Sequence, residues 1–199
     1  MTRLVLWRHG QTEWNITDRV QGQTDIELTD IGTAQAEAAA PRLAAFRPDA
    51  IVSSDLRRAV QTANALAALT ELPVETDPRL RERFFGEWQG LAIPDIARRW
   101  PAEYARWRAG DAGPGCGIEH RDELAKRAGS ALRDIADRFD GRTVVIATHG
   151  GSAREGIAAL LGWPAEVSRT LGGLGNCHWT VLRLNAVRGW QLRAYNIGA

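Results

Sequence analysis

The feature that most constrains the fold is an apolar, β-branched run from Thr143 to Ala147, which ends in Thr148-His149-Gly150. Such a run is typical of a buried strand, and it predicts the clearest strand of this chain. A shorter apolar run, Leu4 to Trp7, predicts a first strand, and Ala50 to Val52 predicts a second. Helical patterns lie between these runs, so strands and helices alternate along the sequence.

Start signals mark two of the helices. Thr29-Asp30 predicts the beginning of an alanine-rich helix that runs towards Phe46, with Pro41 as a kink or break. Ser54 or Asp55 is predicted to cap the next helix. That helix carries four apolar residues at helical spacing: Ala59, Ala63, Leu66 and Leu69.

The second half of the chain continues the alternation. We expect a short third strand over Leu72 to Glu75, an irregular middle section, and a long amphipathic helix over Glu119 to Phe139. A further helix follows Gly150-Gly151 and ends near Gly162, and the last two strands form a hairpin over Cys177 to Leu184 and Trp190 to Tyr195. This pattern predicts an α/β sandwich, mostly parallel with an antiparallel edge, in one domain over residues 1–199.

Composition excludes several classes of partner. With 25 basic and 24 acidic residues the formal net charge is +1, so no global field favours nucleic acid. The apolar run at the N-terminus is too short for a signal peptide or a membrane span. Cys116 and Cys177 lie far apart and form no CxxC pair, which favours two reduced thiols and a cytoplasmic location.

Basic side chains follow the predicted strands. The first strand ends in Arg8-His9-Gly10, the second is followed by Arg57-Arg58, and the clearest strand is followed by His149. Ligands of open α/β sheets bind outside the carboxyl ends of the strands, where these residues would meet. Two arginines and two histidines there suit a dianionic phosphate, and the amides at the start of the helix at Gly150 add partial positive charge.

Four blocks of sequence carry a resemblance to a known family. They are Arg8-His9-Gly10-Gln11-Thr12, with Leu28-Thr29-Asp30-Ile31-Gly32 after it; Ser53-Ser54-Asp55-Leu56-Arg57-Arg58-Ala59; Leu80-Arg81-Glu82 with Gly86-Glu87-Trp88-Gln89-Gly90; and His149-Gly150-Gly151. In this order they resemble the histidine phosphatase superfamily, in its phosphoglycerate-mutase-like branch. The resemblance implies a three-layer α/β/α sandwich and metal-independent hydrolysis of small phosphomonoesters.

The resemblance also implies roles for individual residues. His9 would be the nucleophile that forms a phosphohistidine, and Glu82 the acid that protonates the leaving group and then activates water. The phosphoryl oxygens would be held by Arg8, Arg58 and His149. Four further residues are expected to bind phosphate or substrate: Asn15, Gln21, Gly22 and Gly150.

The remaining conspicuous residues receive structural interpretations. His120 and His178 match no catalytic block, and the scattered histidines predict neither a metal nor a cofactor. Arg57 is expected on a solvated helix face, and the glycines of Gly172-Gly173-Leu174-Gly175 in a turn. Trp100 and Trp107 are candidates for the mouth of a substrate site.

The sequence leaves the substrate open. Leu171 to Asn176 with Trp179-Thr180 resembles actinobacterial glucosyl-3-phosphoglycerate phosphatases, although Ile118-Glu119-His120 stands where many relatives have Gly-Glu-Ser. The short stretch between Glu82 and His149 favours hydrolysis over a cofactor-dependent phosphoglycerate mutase. α-Ribazole phosphate and a broad range of phosphorylated metabolites are further candidate substrates, and a regulatory protein with a vestigial site is a third functional hypothesis.

Two further expectations concern binding. Glu82-Arg83-Phe84-Phe85-Gly86 partly resembles the mutases' Glu-Arg-His-Tyr-Gly, so Arg83 or the Arg98-Arg99 pair is a candidate to contact a second acidic group. The expected partner is a small phosphorylated metabolite, without nucleic acid or membrane. Relatives of this kind are commonly dimers, so a homodimer is expected, although the sequence does not fix the oligomeric state.

Overall fold

A mixed six-stranded sheet lies at the centre of this computed structural model, which describes residues 1–198. The strand order is β3-β2-β4-β1-β5-β6. Strands β1 to β4 are mutually parallel, and β5 and β6 add an antiparallel edge. The bounds are β1 (Arg3–Arg8), β2 (Ala50–Ser53), β3 (Val74–Thr76), β4 (Thr143–Thr148), β5 (Trp179–Asn185) and β6 (Gly189–Ile197).

Helices cover both faces of the sheet. They are α1 (Glu13–Ile16), α2 (Asp30–Ala44), α3 (Arg57–Thr70), α4 (Ile93–Arg99), α5 (Pro101–Arg108), α6 (Arg121–Arg138), α7 (Gly150–Leu161) and α8 (Ala165–Ser168). Two 3₁₀ turns, Pro78–Leu80 and Gly86–Trp88, precede α4. The predicted single domain includes Ala199, which lies outside the described residues.

The pleat of the central strands divides the core into two layers. Leu4 and Leu6 of β1 pack with buried residues of α6 and α7, whereas Val5 and Trp7 pack with buried residues of α2 and α3. Successive side chains of a strand point to opposite faces, so a fully apolar strand needs helices on both sides. This confirms the predicted three-layer α/β/α sandwich with a mostly parallel sheet and an antiparallel edge.

Most predicted elements are confirmed, with shifts of a few residues at their ends. The Thr29 hydroxyl accepts a hydrogen bond from the Gly32 amide at 3.0 Å and caps α2 as expected. The expected break at Pro41 is wrong, because α2 continues to Ala44. Pro41 is exposed, so water can satisfy the carbonyl that its missing N–H leaves free, while Leu43 stays buried. The middle section, predicted to be irregular, contains α4 and α5.

The predicted cap of α3 is wrong. Its N-cap residue is Leu56, which makes no side-chain hydrogen bond, and the Arg57 amide instead binds Asp25 Oδ1 at 2.8 Å. Both proposed caps have different partners. Ser54 Oγ lies 2.8 Å from His149 Nε2, and the Asp55 carboxylate holds Arg81 through two hydrogen bonds of 2.8 and 2.6 Å.

A third apolar cluster supports the segment that leads into α6. Ile118 is 9% exposed and packs in this cluster with Trp88 and Ile96. His120 is the N-cap of α6, and its Nδ1 accepts from the Asp122 amide at 3.3 Å. The residues that depart from the Gly-Glu-Ser pattern therefore have local structural roles, since Ile118 fills the cluster and His120 caps the helix.

Candidate active site

Two histidines leave the sheet side by side at the ends of its central strands. Arg8 of β1 pairs with Thr148 of β4 in the parallel register, so His9 and His149 follow the sheet at the same level. Their ring centroids are 5.2 Å apart, and they are 3% and 0% exposed. The helices after these strands, α2 and α7, cover opposite faces, which places the pair at a topological switch point of the sheet.

The ring of His9 is held in one tautomer. Its Nδ1 lies 2.7 Å from the carbonyl oxygen of Gly10. A carbonyl only accepts hydrogen bonds, so Nδ1 carries the proton and Nε2 keeps a free lone pair. Burial, followed by the charges of Arg58 and Arg8, holds the pKa of His9 well below its usual value of 6.5. His9 is therefore a neutral imidazole with an available nucleophilic nitrogen.

His149 is also neutral, and it has one unsatisfied nitrogen. Burial, followed by the charge of Arg58, lowers its pKa well below 6.5. Its Nε2 lies 2.8 Å from Ser54 Oγ, which also accepts from the Leu56 amide at 3.4 Å and can donate its own proton to His149. When Ser54 donates to Nε2, Nδ1 carries the proton and is a buried N–H donor without a partner among residues 1–198.

Arg58 reaches the histidines from the first turn of α3. Its side chain is completely buried, and its two terminal nitrogens donate to the carbonyls of Gly22 at 2.7 Å and Thr24 at 2.9 Å. Burial lowers its pKa to about 10, so the guanidinium stays charged at neutral pH. Its Nε is buried and has no acceptor within the described chain. The two carbonyls orient the fork and leave Nε as a nitrogen whose N–H is free for a ligand.

Arg8 repeats this arrangement on the other side. Its Nη1 donates to the carbonyl of Leu174, in the glycine-rich segment before β5, and its Nε is buried without a partner in the part of the chain described. Burial lowers its pKa below the usual value of arginine. Three buried nitrogens around His9 thus lack acceptors within residues 1–198: Arg8 Nε, Arg58 Nε and His149 Nδ1. Unpaired buried donors are costly, and an anion would satisfy all three.

Glu82 is held at the N-terminus of α7. Its Oε1 accepts from the amides of Arg83 at 2.8 Å and Ser152 at 3.1 Å, and its Oε2 accepts from the Gly151 amide at 2.9 Å. Amides at a helix start favour a carboxylate. A Cβ at Gly151 would overlap Glu82 Oε1 and lie 3.2 Å from its Cδ, so a side chain at this position would displace the carboxylate.

An ion pair supports the segment that carries Glu82. Arg127 of α6 binds both oxygens of Glu119, at 2.6 and 2.9 Å. The same guanidinium donates to the carbonyl of Glu82 at 2.8 Å and to the carbonyls of Arg79 and Arg81 at 2.8 and 2.7 Å. Glu119 also accepts from the Phe84 amide at 2.9 Å. Arg127 therefore fixes the backbone on which the Glu82 side chain is mounted.

The four expected binding residues lie at different distances from the histidines. Gln21 and Gly22 line a small cavity together with His9, and Gly150 lines a larger one. Asn15 lines neither; its Oδ1 accepts from the Thr12 amide at 3.0 Å and from Asn176 Nδ2 at 3.3 Å. These contacts use the carbonyl side of the amide and leave the Asn15 amino group as a donor.

Several residues that shape the site are not predictable from the sequence pattern. Asn176 Nδ2 donates to the carbonyl of His9 at 3.0 Å, and Thr62 Oγ1 accepts from the Gly10 amide at 3.0 Å. The pattern assigns Ser54 to a helix cap and Leu174 to a turn. Ser54 lies inside one of the four sequence blocks, which indicates that it is near the site. Asn176 lies in none of these four blocks, and the tertiary fold brings it to His9.

Two connected cavities lie in front of the histidines. The smaller, about 180 Å³, is lined by His9, Arg58 and Gln21 among others. The larger, about 550 Å³, extends towards α6 and α7. Both are lined by four of the same residues: Arg8, Glu82, Phe85 and Trp107. A ligand with its phosphate beside His9 can therefore extend into the larger space. Trp100 and Trp107 both pack against the third apolar cluster, but only Trp107 lines the two cavities.

Alternative nucleophiles and ligand sets are less suitable. Burial raises the pKa of the Cys177 thiol to about 12, so it holds no thiolate at neutral pH. Within residues 1–198 no group of three or more His, Cys, Asp or Glu side chains could hold a metal ion. No helix of the described chain is long and apolar enough to cross a membrane.

Three expectations about arginines have different outcomes. Arg57 is exposed and pairs with Asp25 and Glu27, both at 3.5 Å, as expected for a solvated face. The Arg98-Arg99 pair is wrong as a candidate for a second acidic group, because both residues are exposed on α4 and line neither cavity. Arg98 instead binds Asp95 at 2.6 Å, whereas Arg83 lines the larger cavity.

Comparison with known proteins gives a consistent result. The model of the histidine phosphatase superfamily, branch 1, matches residues 4–198. A glucosyl-3-phosphoglycerate phosphatase of Mycobacterium tuberculosis is 40% identical, over 99% of this chain and 95% of the relative. A metal-independent phosphoserine phosphatase of Arabidopsis thaliana is 40% identical, over 77% of this chain and 66% of the relative. A solved structure of a mycobacterial glucosyl-3-phosphoglycerate phosphatase complexed with VO3 superposes with a TM-score of 0.92 at 40% identity, over 98% of this chain and 99% of that one.

Proposed function

The chain belongs to the histidine phosphatase superfamily, whose members hydrolyse phosphomonoesters through a phosphohistidine, and on this premise we propose that His9 is its nucleophile. The protein is a metal-independent phosphoric monoester hydrolase. One observation carries the assignment to His9. Its Nδ1 is fixed on the Gly10 carbonyl, which leaves Nε2 free, and three buried nitrogens of neighbouring site residues have no acceptor among residues 1–198.

The first step transfers the phosphoryl group to His9. The Nε2 lone pair attacks phosphorus while the bond to the ester oxygen breaks, and Glu82 gives that oxygen a proton. Arg8, Arg58 and His149 donate to the phosphoryl oxygens and stabilise the negative charge of the transition state. Because these donors are held by the fold before the ligand arrives, little reorganisation accompanies the reaction.

The second step returns the enzyme to its starting state. Glu82, now a carboxylate held by three amides, takes a proton from water as the water oxygen attacks phosphorus. The bond from phosphorus to Nε2 breaks, His9 is again a neutral imidazole, and inorganic phosphate leaves. One carboxyl group thus supplies a proton in the first step and recovers one in the second.

For the substrate we propose glucosyl-3-phosphoglycerate or a related phosphorylated small metabolite. The M. tuberculosis relative with 40% identity over 99% of this chain supports this choice. The larger cavity, about 550 Å³, also lies within the usual range for small-molecule sites, and its position suits a group attached to the phosphate ester. The cytoplasmic location and the homodimer stay predictions from sequence.

The test combines a variant with a chelator. Wild-type protein is expected to hydrolyse p-nitrophenyl phosphate equally well with and without EDTA, and to form an acid-labile phosphoryl adduct on His9. His9→Ala should abolish both, whereas His120→Ser, which keeps the cap of α6, should retain both. A chelator-sensitive activity, or an adduct elsewhere, would contradict the mechanism.

A panel of phosphorylated metabolites, assayed for free phosphate, ranks the substrates. Interconversion of phosphoglycerates without phosphate release would indicate a mutase.

A further inference from the structure

The larger cavity beside the phosphate site is strongly basic. Its lining contains six arginines but only two glutamates, Glu82 and Glu155. Glu82 is already engaged by three backbone amides, so Glu155 is the main counter-charge on the side away from His9. The arginines are Arg8, Arg83, Arg108, Arg121, Arg154 and Arg169.

Arg121, the first residue of α6, is the most poorly satisfied of them. It is 8% exposed, and its Nε and Nη1 are buried without a hydrogen-bond partner among residues 1–198. The nearest carboxylate oxygen, Glu155 Oε1, lies 3.7 Å from Nε, which is beyond hydrogen-bond distance. A buried guanidinium with two unused donors is costly unless a ligand supplies the acceptors.

Glu155 cannot supply what Arg121 lacks. The same oxygen, Oε1, accepts from Arg154 Nε at 3.1 Å, so two guanidinium groups share one carboxylate. Burial lowers the pKa of Arg121 most; the charge of Glu155 raises it, and the charges of Arg154 and Arg169 lower it again. The cluster therefore holds a surplus of positive charge.

Arg83, by contrast, is satisfied by the protein itself. Its Nε donates to the Glu119 carbonyl at 2.8 Å and its Nη2 to the Ala112 carbonyl at 2.6 Å. Arg83 lines the same cavity as Arg121 but needs no ligand. Arg121, and not Arg83, therefore has buried donors that a ligand could satisfy.

We propose that Arg121 and Arg154 form a second anion subsite that binds a carboxylate of the substrate, so that the preferred substrates are phosphomonoesters carrying a carboxylate. The proposal rests on the proposed function, since the phosphate itself is assigned to the pocket around His9. Charge-assisted hydrogen bonds from arginine to a carboxylate are strong, and Arg121 has two unused donors, Nε and Nη1, on different edges of its guanidinium. Both cavities share Arg8 and Glu82, so one molecule can reach both subsites.

The test compares two ligands that differ only in the group of interest. In 3-phosphoglycerate a carboxylate takes the place of the terminal hydroxymethyl group of glycerol 3-phosphate. Binding is measured by titration calorimetry in the His9→Ala background, which prevents turnover. Arg121→Gln should weaken 3-phosphoglycerate binding about tenfold or more, the scale of hydrogen bonds to charged groups, and leave glycerol 3-phosphate unchanged. Equal weakening of both ligands, or an unchanged affinity for 3-phosphoglycerate, would overturn the proposal.

Two further variants complete the design. Glu155→Gln removes the competing carboxylate and should strengthen the binding of 3-phosphoglycerate but not that of glycerol 3-phosphate. This variant tests the proposal if Arg121→Gln fails to fold. An equal change for both ligands would contradict the subsite. Arg98→Gln, on the exposed face of α4, is the matched control and should change neither affinity. Hydrolysis of p-nitrophenyl phosphate, which has no carboxylate, tests the proposed function separately.

Discussion

The contact between Gly151 and Glu82 offers a way to move the proposed acid without altering its chemistry. In Gly151→Ala the new methyl group would lie well inside van der Waals contact with Glu82 Oε1, next to the amide that binds Oε2. Alanine is a better helix former than glycine by up to about 1 kcal/mol, so α7 itself is not expected to be weakened. The carboxylate has to move, and its three amide hydrogen bonds have to lengthen.

The size of the effect follows from the distance. Restoring an ordinary separation of about 3.5 Å requires the carboxylate to retreat by roughly 1 Å. A displacement of this size costs about 10²-fold in rate for a positioned catalytic group, at the lower end of the 10²- to 10⁴-fold that general acids contribute. Glu82→Gln, which removes the proton altogether, sets the upper limit of the loss.

The assay uses the leaving group to isolate the acid. The value of kcat/KM covers the steps up to departure of the leaving group, before water attacks. An alkyl phosphate needs a proton on its leaving oxygen, whereas p-nitrophenolate leaves without one. Gly151→Ala should therefore lower kcat/KM about 10²-fold for glycerol 3-phosphate and much less for p-nitrophenyl phosphate.

Gly150→Ala is the comparison variant at the preceding position of α7; Gly150 lines the larger cavity, so any effect of this change on binding should fall on both substrates alike. A Cβ there would lie 3.8 Å from Arg8 Nε, an ordinary contact, and would not reach Glu82. Its ratio of alkyl to aryl kcat/KM should equal that of the wild type. If Gly151→Ala slows both substrates equally, or leaves both unchanged, then Glu82 is not the acid or its position is not set by this contact.

Acidification should destabilise the fold through His9 and His149, because burial lowers the pKa of both below 6.5 in the native state, while the unfolded chain binds protons near that pH. Below pH 6.5 the free energy of unfolding, measured with urea, should fall by about 1.4 kcal/mol per pH unit for each histidine, and by less in His149→Asn. An equal fall in the wild type and in this variant would contradict the lowered pKa of His149. Arg58→Lys should lower both kcat and phosphate affinity, because the single nitrogen of an ammonium cannot take the separate positions from which Nη1 and Nη2 bind the two carbonyls and Nε faces a ligand. An intact inhibition constant for inorganic phosphate would contradict the role of Arg58 as a phosphate ligand.

The parts of the site that follow strands are predictable from the sequence. β1 and β4 are apolar runs, so their ends can be placed, and with them His9 and His149. Parallel strands end at one edge, which brings these side chains together regardless of the loops. The resemblance to a family adds Glu82, which no strand pattern marks.

Contacts between residues far apart in sequence are not predictable in this way. Asp25 caps α3 in place of Ser54, because Ser54 is turned towards His149, and only the packed structure shows this exchange. Likewise, Glu82 meets the amides of Gly151 and Ser152, which lie 69 and 70 positions further along the chain. Local signals describe what a residue can bind, and the tertiary fold decides which partner it meets.

The two halves of the catalytic machinery are anchored in different ways, which has a consequence for their dynamics. His9 and His149 continue a paired β-ladder, so separating them requires the central sheet to open, the most protected part of a fold in hydrogen exchange. Glu82 is mounted on a segment held by side-chain and amide contacts, including those of Arg127. Local opening of that segment would release the acid while the phosphate pocket stays closed. In exchange experiments we expect the amides of residues 78–90 to be less protected than those of β1 and β4.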